Sequence, residues 1–300
     1  MPTVPFSKPF LSFDAQYNKL TLSIIDKDYV LAELLMHSSY YRIKNYIPPL
    51  QAKYQNSLIP VQEVKNLIDF DSTLRTLFFR CIEPIEVYFR STISEYMLEA
   101  SHGDSFWYLN TLYFINKRKH ASTIQIIEKD FSSSKESFIV NYRHMYTLPT
   151  LTTHHSTANN VPPTWMLNEI SSFGLFSNIF SNLDRTYKKN IASAFLVDEY
   201  VLSSWILSLH TIRNTCAHHA RLWNKRLGIA PKIPNNNPFA IQCDNRKIAI
   251  IIQILIRLLT VIHGHNNSYT SQLKEIAVDA SPFIQCGMGF TQPLTKNSFQ

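Results

Sequence analysis

Through most of this chain apolar residues recur every three or four positions, and runs of alternating β-branched residues are absent. That period predicts an all-α protein. Phe13, Tyr17 and Leu20 mark a first helix after Ser12. A second pattern, YVLAELLMHSSYYRIKNYI, follows Asp26 or Asp28, either of which can cap it, and Pro48-Pro49 should close it. Val61 to Ala100 is the longest periodic run; Asp71 or Ser72 can cap a helix within it, and Pro84 predicts a kink or a division. A turn is expected at Gly103-Asp104, and FWYLNTLYFI reads as a short helix or an extended segment.

Lys117 to Met145 reads as one or two helices, with SSSKE as the break. TLPTLTTHHSTANNVPP has the composition of a surface loop, after which Thr164 can cap WMLNEISSFGLFSNIFSNL. Two more helices are expected, from Asp184 to Phe195 and from Asp198 to Arg221, the second with Val201, Trp205, Leu209 and Ile212 on its apolar face. GIAPKIPNNNPFA is a loop leading to the apolar helix after Asp244. Its core, IAIIIQILIRLLTVI, is too short to cross a bilayer and carries Gln253 and Arg257. The last twenty residues show no clear period. A chain of 300 residues can form one large domain or two smaller ones. With no internal repeat and no obvious linker, residues 1–300 read as a single domain.

Six glycines in the whole chain are few for a protein built on tight β-turns, which strengthens the helical reading. Lys and Arg exceed Asp and Glu to give a formal charge of +7 and a pI near 9.1, which suits a polyanionic partner such as nucleic acid. Cys81, Cys216, Cys243 and Cys286 have no close pairing and no metal-type spacing, so they read as reduced thiols of a cytoplasmic protein. MPTVPFSKPFLSF lacks the basic start and apolar run of a signal peptide.

The densest chemistry lies in IRNTCAHHARLWNKRL, Ile212 to Leu227. At about 100° per residue Asn214 and His218 share one helical face, and Thr215 and His219 share another. An Arg beside a His can cleave RNA without a metal. The imidazole exchanges a proton with the 2′-hydroxyl or the leaving oxygen, and the guanidinium holds the phosphate. One His cannot easily serve both sides of the phosphorus, but two copies facing each other across a dimer can. The same residues also read as a helix C-terminus, where His, Arg and Asn meet exposed carbonyls. Neither adjacent pair, His218-His219 or His154-His155, has the spacing of a metal site. GxGxxG, GxxxxGK[ST] and GxSxG are all absent, so no cofactor is expected.

RNTCAHHARLWN resembles the signature of the Abi-like proteins, bacterial abortive-infection factors that defend against phage. KPFLSFDAQ, the Tyr40-Tyr41-Arg42 element, IEPIEVYFRSTIS and PPTWMLNEISSFGLFSNIFSNL resemble further segments of that family in the same order, over roughly residues 8–260. The family is similar to the HEPN superfamily of compact α-helical domains. The resemblance implies a HEPN-type core at about 61–262 behind a helical segment at about 8–50. It also implies a metal-independent endoribonuclease in which Arg213 stabilises phosphate, Asn214 orients the site and His218 is the acid-base residue, with His219 as its rival. The single motif copy implies a homodimer, and a toxin of this kind leaves room for an antitoxin or a regulatory RNA or protein. Some HEPN-like proteins only bind RNA or partners, so a non-catalytic module is the alternative.

Other polar positions carry two readings each. Glu86 and Arg90 are spaced for a helix salt bridge with Glu83 on the same face, or they support the Arg-His site. Arg42 can neutralise one of those carboxylates or touch RNA, and Arg221 and Asn224 can position phosphate. Trp165 and Trp223 are expected in the core rather than as stacking platforms.

Overall fold

The computed structural model describes residues 10–26, 29–146, 151–153, 156–158, 161–234, 239 and 241–299. The fold is all-α, with two minor strand pairs among the described residues. The chain forms two compact units, residues 1–75 and 76–300.

In the first unit Ser12 caps α1 (Phe13–Thr21) by accepting from the Ala15 amide. β1 (Ile24–Ile25) follows, and then α2 (Val30–His37) and α3 (Tyr40–Lys44), so the expected second helix is two, split at Ser38-Ser39. Asp26 serves the first turn of α2, accepting from the Leu31 amide at 3.1 Å; Asp28 lies outside the described residues. Pro48 and Pro49 do not close a helix but open α4 (Ile47–Lys53). In a first turn the missing N–H groups would have had no partner. β2 (Ile59–Pro60) pairs in parallel with β1.

α5 (Val61–Ala100) begins here and runs unbroken through Pro84 into the second unit, so Pro84 does not divide it. A proline inside a helix costs about 3 kcal/mol. Cys81, Ile82, Ile85 and Phe89 around it are fully buried, and their burial outweighs that cost. Asp71 is not a cap: it is buried mid-helix, accepting from the Tyr46 hydroxyl at 2.6 Å and pairing with Arg75 at 2.5 Å.

In the second unit α5 ends at a turn with Gly103 at φ +87°, as the Gly-Asp pair predicts. FWYLNTLYFI forms two 3₁₀ turns, Trp107–Leu109 and Thr111–Tyr113, which bury Trp107, Tyr108 and Leu109. α6 (Lys117–Ser133) and α7 (Ser137–Met145) break at SSSKE. The segment expected to be only loop contains an antiparallel pair, β3 (Leu151–Thr153) and β4 (Ser156–Ala158); His154 and His155 lie outside the described residues. α8 (Thr164–Ile170) and α9 (Phe173–Asn182) replace the single helix expected after Thr164. Ser172 caps α9, while the Thr164 hydroxyl is buried and accepts from the Trp107 indole instead of capping. Trp165 is 53% exposed, contrary to expectation, whereas Trp223 is fully buried.

Asp184 caps α10 (Arg185–Ser193), and α11 (Glu199–Ala217) follows. The predicted apolar face of α11 is buried, and the helix packs on α9 and α10. Phe89 of α5 meets Phe173, Phe180 and Phe195 edge-on, tying α5 to this layer. α12 (Ile248–His263) is the apolar helix, packed on α13 (Ser268–Val278). The last segment holds α14 (Pro282–Met288), a helix too short for its period to show, again with proline in its first turn. Among the described residues all four cysteines are free thiols, and burial pushes Cys81 up to about 12 and Cys243 to about 11. No helix among them is long and apolar enough to cross a membrane.

Candidate functional site

α11 stops at Ala217 rather than Arg221, and the way it stops separates the two histidines. His218 makes the last helical bond, its amide donating to Asn214 O at 3.0 Å, so its Cα stays on the Asn214 face. His219 then turns left-handed at φ +54°. Its amide donates to Cys216 O at 2.9 Å and the Ala220 amide to Thr215 O at 3.0 Å. This is a Schellman closure with His where Gly is usual. His219 thus has a task in ending the helix. The exposed His218 imidazole makes no hydrogen bond among the described residues.

One turn earlier the cluster is tightly organised. Arg213 is half-exposed, with its guanidinium 5.6 Å from the Phe79 ring of α5 and Nε 3.9 Å from a Glu86 carboxylate oxygen. Its Nη1 donates to Asn214 Oδ1 at 3.3 Å. The Asn214 amide nitrogen faces His210 Nε2 at 3.0 Å. Side chains on a helix lean toward its N-terminus, so Asn214 meets the residue four before it rather than four after. With Oδ1 taken by Arg213, the Asn214 NH₂ donates to an unprotonated His210 Nε2. Burial, and secondarily the Arg213 charge, lower the His210 pKa and favour that neutral form.

His210 is itself confined. A Cβ on Gly174 would lie 2.8 Å from its Nε2, and the Phe173 ring meets it edge-on at 6.1 Å. Glu86 is buried and accepts the Phe173 amide. Its carboxylate lies 3.7 Å from Arg90 and 3.9 Å from Arg213, ion-pair rather than hydrogen-bond distances. Burial raises the Glu86 pKa and Glu83 adds to the rise; Arg90, Arg213 and the Phe173 amide only partly oppose it. Arg90 donates to Asn168 O at 2.7 Å and Ser171 O at 2.9 Å, pinning the α8–α9 junction to α5.

The structure therefore gathers Arg213, Asn214, Glu86 and Arg90 into one network, with His218 a turn beyond Asn214. Asn224 serves the fold: at φ +51° its side chain accepts from Lys247 at 3.0 Å. Arg221 is half-buried, and Arg42 belongs to α3 of the first unit. Trp223, between Arg221 and Asn224 in the sequence, donates its indole N–H to Ile284 O and lies against Gly287.

Sequence reasoning passed over His210, Phe173 and Gly174. His210 stands four residues before Asn214 and eight before His218, a spacing visible in the sequence. Phe173 and Gly174 carry no local signal, because their role comes from packing α9 against α11. Among the described residues no group of three or more His, Cys, Asp or Glu side chains lies close enough together to hold a metal ion.

No curated protein and no solved structure matches the chain. The model of the Abi-like proteins matches residues 33–224, more than half the chain and ending just past the Arg213–His219 segment, so the chain belongs to the Abi-like family, whose name points to a role in abortive infection.

Proposed function

We propose that the chain is a metal-independent endoribonuclease of HEPN type that acts as an abortive-infection toxin. The observation that carries this reading is the state of Arg213. Its guanidinium is braced by Glu86, Phe79 and Asn214 yet remains half-exposed, one turn from an exposed imidazole. A cation held by partners on two helices is preorganised for a phosphate and loses little freedom on binding it.

In the proposed reaction one imidazole takes the proton of the 2′-hydroxyl, and the 2′-oxygen attacks phosphorus. The P–O5′ bond breaks, and a protonated imidazole supplies the proton to the leaving 5′-oxygen. The products are a 2′,3′-cyclic phosphate and a 5′-hydroxyl. Arg213 neutralises the charge that builds on the phosphoryl oxygens. His218 is the acid-base residue because His219 is committed to the helix end, and a homodimer supplies the second imidazole. Asn214 holds Arg213 on one side and His210 on the other.

A second reading is a non-catalytic RNA-binding or partner-binding module. It is favoured by the absence of any hydrogen bond, among the described residues, that would orient the His218 imidazole. Catalytic imidazoles are commonly oriented by a second group.

Purified protein incubated with RNA in EDTA separates the two. The nuclease reading expects fragments with cyclic phosphate ends that disappear in Arg213→Ala and His218→Ala, each lowering the rate by about 10² or more. Salt-sensitive binding without cleavage supports the module. Equal degradation by wild type and both variants refutes the nuclease mechanism.

A further inference from the structure

A second recessed surface lies in the same unit, elsewhere on α11. A cleft of about 750 Å³ runs between the N-terminal part of α6, α10, the first half of α11 and the segment around Lys232. Tyr200 and Leu207 line it, and at 100° per residue they stand roughly 120–140° around α11 from Arg213. The cleft therefore opens away from the Arg213 cluster.

Its charge is positive on balance, with Lys119, Arg185, Lys188 and Lys232 against Asp184 and Glu199. Two carboxylates line it, and both are engaged: Asp184 accepts the Thr186 amide at 2.9 Å, and Glu199 pairs with Arg185 at 2.7 Å. Lys119, Lys188 and Lys232 have no ion pair among the described residues. The Lys119 ammonium donates to Ser181 Oγ, and that of Lys188 to Ser181 O at 3.5 Å. Burial, and then repulsion from Lys188, lower the Lys119 pKa, so the two ammonium groups stand near each other, with the Asp184 carboxylate felt by Lys188 but not ion-paired to it.

Its apolar part is aliphatic and exposed: Ile115 is 62%, Leu207 42% and Ile229 37% accessible. The aromatic ring that lines the cleft, Tyr200, carries the Lys232 ammonium over it at 5.0 Å. A nucleobase seeks a bare aromatic face, whereas aliphatic walls with nearby lysines match a peptide of apolar and acidic residues.

The walls are also fixed. Asp184 N–H donates to Tyr113 O, Ile115 N–H donates to Asn182 O, and the Asn182 side chain bonds both ways with the Asn116 backbone. On the other side the Trp205 indole donates to Lys232 O and the Ser204 hydroxyl accepts the Lys232 amide. A cleft pinned on both sides loses little entropy on filling.

We propose that this cleft docks an acidic segment of a partner protein, with an aliphatic or aromatic anchor among Ile115, Leu207 and Ile229 and flanking Asp or Glu side chains on Lys119 and Lys188. The proposal holds whether or not the chain cleaves RNA.

The test selects random displayed peptides on the full-length protein and measures the enriched sequences as fluorescein-labelled peptides. The expected peptides combine Asp or Glu with Leu, Phe or Trp and weaken as salt rises. Lys119→Glu/Lys188→Glu should weaken them by about tenfold or more. Leu207→Asp, at a position 42% accessible, should weaken them similarly while the circular dichroism spectrum stays that of wild type. Selection of no peptides, of peptides without acidic excess, or of peptides that bind both variants like wild type overturns the proposal. If a labelled uridine oligonucleotide loses affinity in these variants while no acidic peptide is selected, the cleft belongs to RNA and the proposal is wrong.

Discussion

Replacing Glu86 by Gln separates what stabilises this fold from what positions Arg213. Glu86 is 9% exposed, and its carboxylate lies 3.7 Å from Arg90 and 3.9 Å from Arg213. At an effective dielectric near 20, each pair attracts by roughly 4 kcal/mol before desolvation is counted. Burial nevertheless holds the carboxyl above its ordinary value of 4.5, so desolvation outweighs both arginines. A carboxyl whose folded pKa is raised stabilises the fold while protonated, and that contribution is lost as pH rises through the folded pKa. At neutral pH the ionised Glu86 therefore costs stability. Gln reproduces the shape of the protonated acid and keeps an oxygen for the Phe173 amide. Glu86→Gln should match wild type or exceed it by up to about 1 kcal/mol near neutral pH. The difference should close as pH falls to the ordinary carboxyl value and below. Glu86→Ala also strands the Phe173 amide and leaves a gap, and should lose about 1–3 kcal/mol. Urea unfolding followed by circular dichroism, at neutral and at acid pH, reads all three proteins. If the Gln variant loses more than about 1 kcal/mol at neutral pH, the attraction outweighs burial and the reasoning fails. Under the proposed function both variants also cleave more slowly, because Arg213 loses a brace.

Three further outcomes follow from the packing. Gly287→Ala would place a Cβ 2.2 Å from the buried Trp223 ring. It should cost about 2–3 kcal/mol in thermal or urea unfolding, with a changed tryptophan emission. Asp71→Ala strips the counter-charge from Arg75 and the acceptor from Tyr46, both buried. A loss of about 3–5 kcal/mol is expected by the same unfolding measurement. The two histidines should separate by stability: His219→Val puts a β-branched residue at φ +54° and should cost about 1–2 kcal/mol. His218→Ala, at an exposed position, should stay within about 0.5 kcal/mol of wild type. Equal losses at both would contradict the assigned helix end.

Much of the candidate site was legible because its parts are close in sequence. Arg213, Asn214 and His218 fall within six positions on an amphipathic helix whose buried face reads directly from Val201, Trp205, Leu209 and Ile212. Glu86 and Arg90 were legible as a pair, being four apart on one helix. The reach of Glu86 to Arg213 was not, since it depends on how α5 packs against α11. The confinement of His210 by Gly174 is hidden for the same reason.

Helical class and the order of the longer helices belong to the sequence alone, because a three-to-four-residue apolar period and capping residues such as Ser12 and Asp184 act within a few positions. The tertiary structure decided the rest. Pro84 stays inside an unbroken α5 because its neighbours are buried, and Asp71 leaves the capping role for a buried pair with Arg75. α11 ends at Ala217 because His219 adopts a left-handed turn that no apolar period announces. That turn separates the two histidines, and the packing of α5 and α9 on α11 holds Arg213 in place. Propensity acts over a few residues, whereas burial and charge pairing act between helices far apart in the chain.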